Sequence, residues 1–176
     1  ALVQRLSGSI EISASDVPTA ENPFARHPQE PPVRQLLERV LMAAAARESR
    51  SKRLAPAASL LRRATKVEPA SLDPWLALSQ VLLDQGDWAG AEAAARAALG
   101  LAPRSFEALQ ALGYALVRQD RNREAEEALR AALDVRADAG TQGLLDRVRK
   151  GLADEQGMAE RQLAHFHVRY DGDAHE

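Results

Sequence analysis

Histidines and carboxylates are the residues with which this chain could do chemistry. His165 and His167, with Asp171, Asp173 and His175 close behind, share the C-terminal phrase AHFHVRYDGDAHE, and imidazole plus carboxylate is a donor set that zinc accepts. Ligands two apart on an uncovered strand lack the outer partners that orient such donors, so a solvated polar face is the better reading and no metal is assigned. Glu126 and Glu127 form an adjacent carboxylate pair of the kind proton transfer uses, but Arg121, Arg123 and Arg130 stand close in sequence. Surface ion pairs of little individual worth explain them better. No Gly-rich phosphate loop, nucleophile elbow or His-Glu-x-x-His occurs, and the chain has no cysteine, which removes disulfides and thiol chemistry together. No catalytic residue and no cofactor is assigned, and the protein reads as a non-enzyme.

The elements that must position any functional surface are helical. Trp75, Leu78, Leu82 and Leu83 recur at the spacing of one helical face, Gly86 breaks the run, and Ala91, Ala95, Ala98 and Leu99 open a second pattern whose small residues admit a close neighbour. Asp73 suits the N-cap of the first helix with Pro74 at its first position, and Asp87 suits the cap of the second. Two helices this short cannot bury their apolar faces unaided. Copies supply the missing partners: Ala91, Ala95, Ala98 and Pro103 correspond to Ala57, Leu61, Ala64 and Pro69 before them and to Ala125, Leu129, Ala132 and Ala137 after them, at an interval of 34 residues. The first helices agree, with Leu41, Ala44 and Ala45 matching Trp75, Leu78 and Ser79, then Leu109, Leu112 and Gly113. A period of about 34 residues marks helix-turn-helix solenoids.

On these residues the chain resembles the tetratricopeptide repeat (TPR) family. Trp75, Leu78, Ser79, Leu82, Ala91, Ala95, Ala98 and Pro103 follow that family's pattern, and Leu112 and Gly113 supply its Leu-Gly pair in the third copy. The third copy has Ala137 where proline is expected, and the first has Glu48 at the usual tyrosine and Lys52 near the usual turn glycine. The resemblance covers roughly residues 38–139. It implies an all-α, right-handed α-solenoid of three repeats, at about 38–71, 72–105 and 106–139. Pro56 suits the first turn of the second helix of repeat one, which should end near Val67. Past Ala139 the register fails, and Leu144, Leu145, Val148 and Leu152 form one stripe opposite Asp146, Arg147, Arg149 and Lys150. That predicts a sealing helix over 141–163, capped by Thr141, with the solenoid and its cap spanning 33–163.

The flanks differ in kind. Pro18, Pro23, Pro28, Pro31 and Pro32 with several serines predict a mobile arm over 1–32, the alternative being an edge strand at Ile10, Glu11 and Ile12. The helix after Pro32 should be longer than its counterparts, because Val33, Leu36, Leu37, Val40 and Leu41 begin its apolar stripe early. At 164–176, Phe166, Val168 and Tyr170 alternate with His165, His167 and Arg169, which predicts an orphan β-strand and tail. This strand resembles the opening of a bacterial peptidase-MA-like domain, a zincin-type module, though without the His-Glu-x-x-His no peptidase activity follows.

Composition narrows the function classes. A formal net charge of −2 gives no push toward nucleic acid or anionic membrane, and basic residues are not interleaved with aromatics. No apolar run approaches the roughly 20 residues that span a bilayer. Repeat one has a basic surplus from Arg39, Arg47, Arg50, Lys52, Arg53, Arg62, Arg63 and Lys66, whereas repeat three leans acidic. A solvated surface explains this, the alternative being a weak head-to-tail attraction between copies or a preference for acidic partners at the first repeat. Abundant alanine and arginine suit a GC-rich bacterial genome, with cytoplasm and periplasm equally open. A start at Ala1 without methionine or leader fits a processed product or an excised fragment.

In the resembling family the first helices line the concave side and bind peptides there. Position by position, that face presents Met42, Ala46 and Arg50, then Leu76, Gln80 and Leu83, then Gln110, Tyr114 and Arg118. It is mixed and mildly apolar, which implies a protein or peptide partner held as a helical or extended segment, and a scaffold function. Some relatives grip a C-terminal carboxylate with a polar clamp, but the matching positions here are Met42, Ala46, Ala77, Glu107 and Ala111, so chaperone tails are not implied as ligands. Two rival readings are the repeat segment of a larger zincin-like enzyme and a self-association element in which arm and strand pair between copies.

Overall fold

Recurrent small side chains let helices approach closely, and Ala57, Ala64, Ala91, Ala95, Ala98, Ala125 and Ala132 are all fully buried. The computed structural model describes the backbone of residues 14–171 and the side chains of residues 14–159. A 3-10 turn at Ala14–Asp16 leads into α1 (Val17–Arg26), α2 (Pro31–Arg50), α3 (Leu54–Val67), α4 (Leu72–Gln85), α5 (Trp88–Leu101), α6 (Phe106–Val117), α7 (Asn122–Val135) and α8 (Ala139–Asp171). Helices α2 and α3, α4 and α5, and α6 and α7 pack as three hairpins, each hairpin against the next. The described elements are thus all helical, an α-solenoid of three helix-turn-helix hairpins.

The hairpin turns repeat down to the hydrogen bond. In each, a residue in the left-handed region closes the first helix: Lys52 at φ 59°, Gly86 at φ 78° and Asp120 at φ 58°. The following amide reaches back across the turn, Arg53 N to Glu48 O (2.9 Å), Asp87 N to Leu82 O (2.9 Å) and Arg121 N to Leu116 O (3.0 Å). This is a glycine-favouring C-cap, and in the first repeat a lysine is forced into it. The turn there forms nonetheless, helped by the Arg53 guanidinium, which donates two bonds to the buried Glu48 carboxylate. A Cβ in this region is unfavourable by about 1 kcal/mol, so Lys52→Gly is expected to raise stability by roughly 0.5–1 kcal/mol, while Lys52→Ala should not. Parallel thermal melts check this.

Helix starts follow the sequence in one case and depart from it in two. Asp87 caps α5 by accepting from Gly90 N at 3.0 Å. At α4 the cap position falls to Ser71, so Asp73 and Pro74 lie inside the first turn. The Ser71 hydroxyl donates to Glu38 instead, tying repeat two to repeat one. At α8, Thr141 is not the cap: the Asp138 carboxylate accepts from Thr141 N (2.8 Å) and Thr141 Oγ1 (2.7 Å). These bonds, the backbone one foremost, hold the Asp138 carboxyl below the usual range.

The flanks required larger corrections. Residues 14–26, which the prolines placed in a mobile arm, are helical. Pro18, like Pro31 and Pro32, sits in a first turn, where a missing N–H costs nothing; Pro23 lies inside α1. Val17, Ala20 and Phe24 pack on the core of repeat one, covering its open side, and this packing makes an internal proline tolerable. Helix α2, at 20 residues, is longer than α4 at 14 and α6 at 12. At the other end, the stripe of Leu144, Leu145, Val148 and Leu152 packs around Leu129. Helix α8 runs on for 33 residues, about 50 Å, through the segment 164–171 where alternation predicted a strand. A lone strand leaves its backbone groups without partners, whereas a continuing helix satisfies them internally, and Ala159 to Ala164 are mostly strong helix formers. The Ile10 to Ile12 alternation lies outside the described residues. So do the side chains of His165, His167 and Asp171 and all of Asp173 and His175, although a helical backbone at 165–171 removes the shared strand face on which a metal reading depended.

Candidate functional site

One cleft of about 460 Å³ opens between α4 and α6, lined by Gln80, Leu83, Asp84, Trp88, Gln110, Ala111, Tyr114 and Arg118. Its geometry follows from the repeat: Gln80 and Tyr114, like Asp84 and Arg118, hold equivalent positions on neighbouring first helices. Adjacent first helices touch here, and longer side chains at these positions form the walls. Tyr114 is 37% exposed, high for a large side chain in this core. A second, shallower depression of about 830 Å³ lies toward the N-terminal ends of the same helices, with Leu72, Leu76, Pro103, Phe106 and Val135 among its lining. Arg136 lies over the Phe106 ring at 3.8 Å and pairs with Glu107 at 3.2 Å on its rim.

Of the residues named from the sequence, Gln80, Leu83, Gln110, Tyr114 and Arg118 come together in the cleft, and Leu76 lies in the second depression. Met42, Ala46 and Arg50 line neither: Met42 packs against the core, and Ala46 and Arg50 are exposed on α2. Sequence reasoning missed Trp88 and Asp84, and named Ala111 only as a clamp position. Trp88 opens a second helix, a position that the rule of first helices lining the groove leaves out. Asp84 was legible as the repeat equivalent of Arg118.

Polar chemistry in the cleft is directional. The Gln110 amide nitrogen donates to Thr141 Oγ1 at 2.7 Å, binding the cap to α6, and the Gln80 nitrogen donates to Asp84 at 3.1 Å. The Arg118 guanidinium lies 4.6 Å from the centroid of the Trp88 ring, a cation–π contact. Behind this wall is Glu92, only 6% exposed, one turn along α5 from Trp88. Its carboxylate receives Arg121 Nη1 at 2.7 Å, Gln119 Nε2 at 2.8 Å and Arg96. Burial pushes Glu92 up, but the bonds from Gln119 and Arg121 and the charge of Arg96 outweigh it and hold its carboxyl below the usual range. Bonds to Glu124 and Glu92 in turn raise the Arg121 guanidinium. Glu126, one repeat on, does the same between Arg130 (2.6 Å) and Arg149 of α8 (3.0 Å). At the first junction the equivalent of these glutamates is Ala58, and Arg62 reaches Asp87 at 3.5 Å instead. Such an arrangement positions side chains across the junctions between repeats. Among the described residues no three potential metal ligands gather, and no helix is long and apolar enough to cross a membrane.

Comparison with known proteins agrees with the geometry. Two family models described as tetratricopeptide repeat match residues 72–114 and 106–138. No curated protein matches the chain significantly. Among solved structures, the Arabidopsis OM64 TPR domain is 19% identical with a TM-score of 0.62, over 64% of this chain and 94% of that one. The first TPR of Spaghetti (RPAP3), bound to an HSP90 peptide, is 15% identical with a TM-score of 0.64, over 66% and 93%. MamA from Desulfovibrio magneticus RS-1 is 16% identical with a TM-score of 0.63, over 90% and 98%. The 34-residue register is therefore that of the tetratricopeptide repeat, which the matching models place over residues 72–138.

Proposed function

We propose that the protein is a non-enzymatic interaction scaffold that holds a segment of a partner protein in the cleft between α4 and α6. The observation that carries this is the cleft itself: apolar walls from Leu83, Trp88, Ala111 and Tyr114, with a few oriented polar groups, the composition that peptide-binding grooves need. That the similar RPAP3 domain is bound to a peptide supports the reading. Its ligand does not transfer, because the clamp positions here carry Met42, Ala46, Ala77, Glu107 and Ala111. Leu76 in the adjoining depression extends the apolar surface along α4.

The test is recovery of peptides from a randomised nonapeptide library by immobilised protein. Tyr114→Ala combined with Leu76→Ala is expected to weaken the recovered peptides tenfold or more, since interface tyrosines often contribute ≥1 kcal/mol. Tyr114 is exposed and Leu76 half-buried, so the melting temperature should change little. Equal binding by parent and double variant would place the site elsewhere.

A further inference from the structure

Arg118 is the arginine that lines the cleft, and it differs from those that tie the helices together. Arg96, Arg121, Arg130, Arg136 and Arg149 each pair with a glutamate, but Arg118 has no ion pair among the described residues and is held only by its place over the Trp88 ring. A guanidinium over an aromatic face keeps its N–H donors around its edge, and fixing its plane in advance lowers the entropy lost when a carboxylate docks. Asp84, at the equivalent position on α4, is already engaged by Gln80 and makes no ion pair with Arg118. Of the two charged groups lining the cleft, one of each sign, Arg118 is therefore the one with no hydrogen-bond or ion-pair partner among the described residues.

The two glutamines add a second constraint. The Gln110 amide nitrogen turns to Thr141 and Asp138 and the Gln80 nitrogen spends one hydrogen on Asp84, so both carbonyl oxygens are left as acceptors for a ligand. Carbonyl oxygens accept, and what an extended protein segment donates along its length is backbone N–H. We infer that the cleft takes a segment passing through it that carries an Asp or Glu side chain beside a large apolar one. The carboxylate sits on Arg118 and the apolar side chain among Leu83, Ala111 and Tyr114. This rests on the cleft being the binding site. It differs from capture of a chain end, because the source of the carboxylate is a side chain and the donor is Arg118.

The experiment uses the same nonapeptide library, acetylated and C-terminally amidated so that the only carboxylates are side chains, against the parent, Arg118→Gln and Tyr114→Ala. The parent should enrich sequences with Asp or Glu next to Leu, Ile, Phe or Met. Arg118→Gln should bind those peptides about fivefold more weakly and lose the acidic preference, the size expected for one solvent-accessible ion pair. Tyr114→Ala should weaken all of them. Raised salt should weaken the parent but hardly affect Arg118→Gln. Peptides recovered without acidic enrichment, or with basic enrichment from Asp84, would overturn this inference and leave the groove reading standing. Recovery only from a library with free C-termini would overturn it in favour of chain-end capture. No recovery by the parent above the Tyr114→Ala background would overturn both.

Discussion

Leu129→Ala is expected to lower unfolding free energy by about 3 kcal/mol, and the same loss should shrink to about 2 kcal/mol when Gly113→Ala is added. Leu129 is fully buried where α7 meets the cap, surrounded by Leu144, Leu145 and Val148, with Val117, Leu133 and Leu152 packed around them. Truncating it leaves a cavity under the sealing helix. Gly113 on α6 faces the same side chain: a Cβ built there would lie 2.5 Å from Leu129 Cδ2 and 2.7 Å from Cγ, with Leu129 N at 3.6 Å. Those distances cannot be held, so Gly113→Ala alone should cost about 1 kcal/mol net. Overpacking of roughly 2 kcal/mol exceeds the ~1 kcal/mol of helix propensity that alanine gains over glycine. Once Leu129 is alanine the obstruction is gone, the new methyl enters the vacated space, and propensity alone remains, so the second substitution should stabilise by about 1 kcal/mol. The sign of one substitution thus reverses with the identity of its neighbour, a coupling of roughly 2 kcal/mol. Urea unfolding of the four proteins measures it. Additive effects would mean that α6 and α7 are not in contact at this point.

That contact shows what the sequence could and could not carry. The Leu-Gly pair at 112 and 113 and the alanines at interval 34 were legible as places where helices approach, because only small residues fit there. Which side chain each one faces depends on how one helix rotates against the next, and no periodicity in the chain encodes that. The turns illustrate the opposite case: Lys52 argued against the glycine-type closure of repeat one, yet tertiary packing of α2 on α3 imposes the same left-handed residue as Gly86. At the C-terminus, the alternation of Phe166, Val168 and Tyr170 was a local pattern with no partner strand. Helix continuation from α8 satisfied the backbone, and the pattern carried no weight. In the cleft, the equivalence of Gln80 with Tyr114 was readable because both lie on first helices. Trp88 was not, because its part depends on an inter-repeat packing angle. Glu92 was missed for a related reason: an i, i+4 pairing with Arg96 was visible in the sequence, but its bonds to Gln119 and Arg121 span 27 and 29 residues.

Glu92 should therefore behave unlike an ordinary surface glutamate. Removing it as Glu92→Ala takes the acceptor from Arg121, Gln119 and Arg96 at once, and is expected to cost about 2 kcal/mol at pH 7. A fully buried ion pair would cost more when broken, but Arg96 and Arg121 are solvent-accessible and water recovers part of the loss. Glu92→Gln separates charge from shape. The folded carboxyl titrates below its ordinary value of 4.5, so at pH values between the two the unfolded chain binds more protons than the folded one. The resulting stabilisation is fully present above the ordinary value and is lost as pH falls through the lowered one. Glu48, Glu124, Glu126 and Asp138, each held low by a bond from Arg53, Arg121, Arg149 or Thr141, contribute with the same sign. The parent should accordingly melt at a nearly constant temperature above pH 5 and at progressively lower temperatures below about 4.5. Glu92→Gln should start lower and fall less steeply, so that the two curves converge in acid. Parallel curves from pH 7 to 3 would show that the charge of Glu92 contributes nothing to the junction between repeats two and three. Convergence would place it among the interactions that hold the α6–α7 turn, and with it Arg118, against the wall of the cleft.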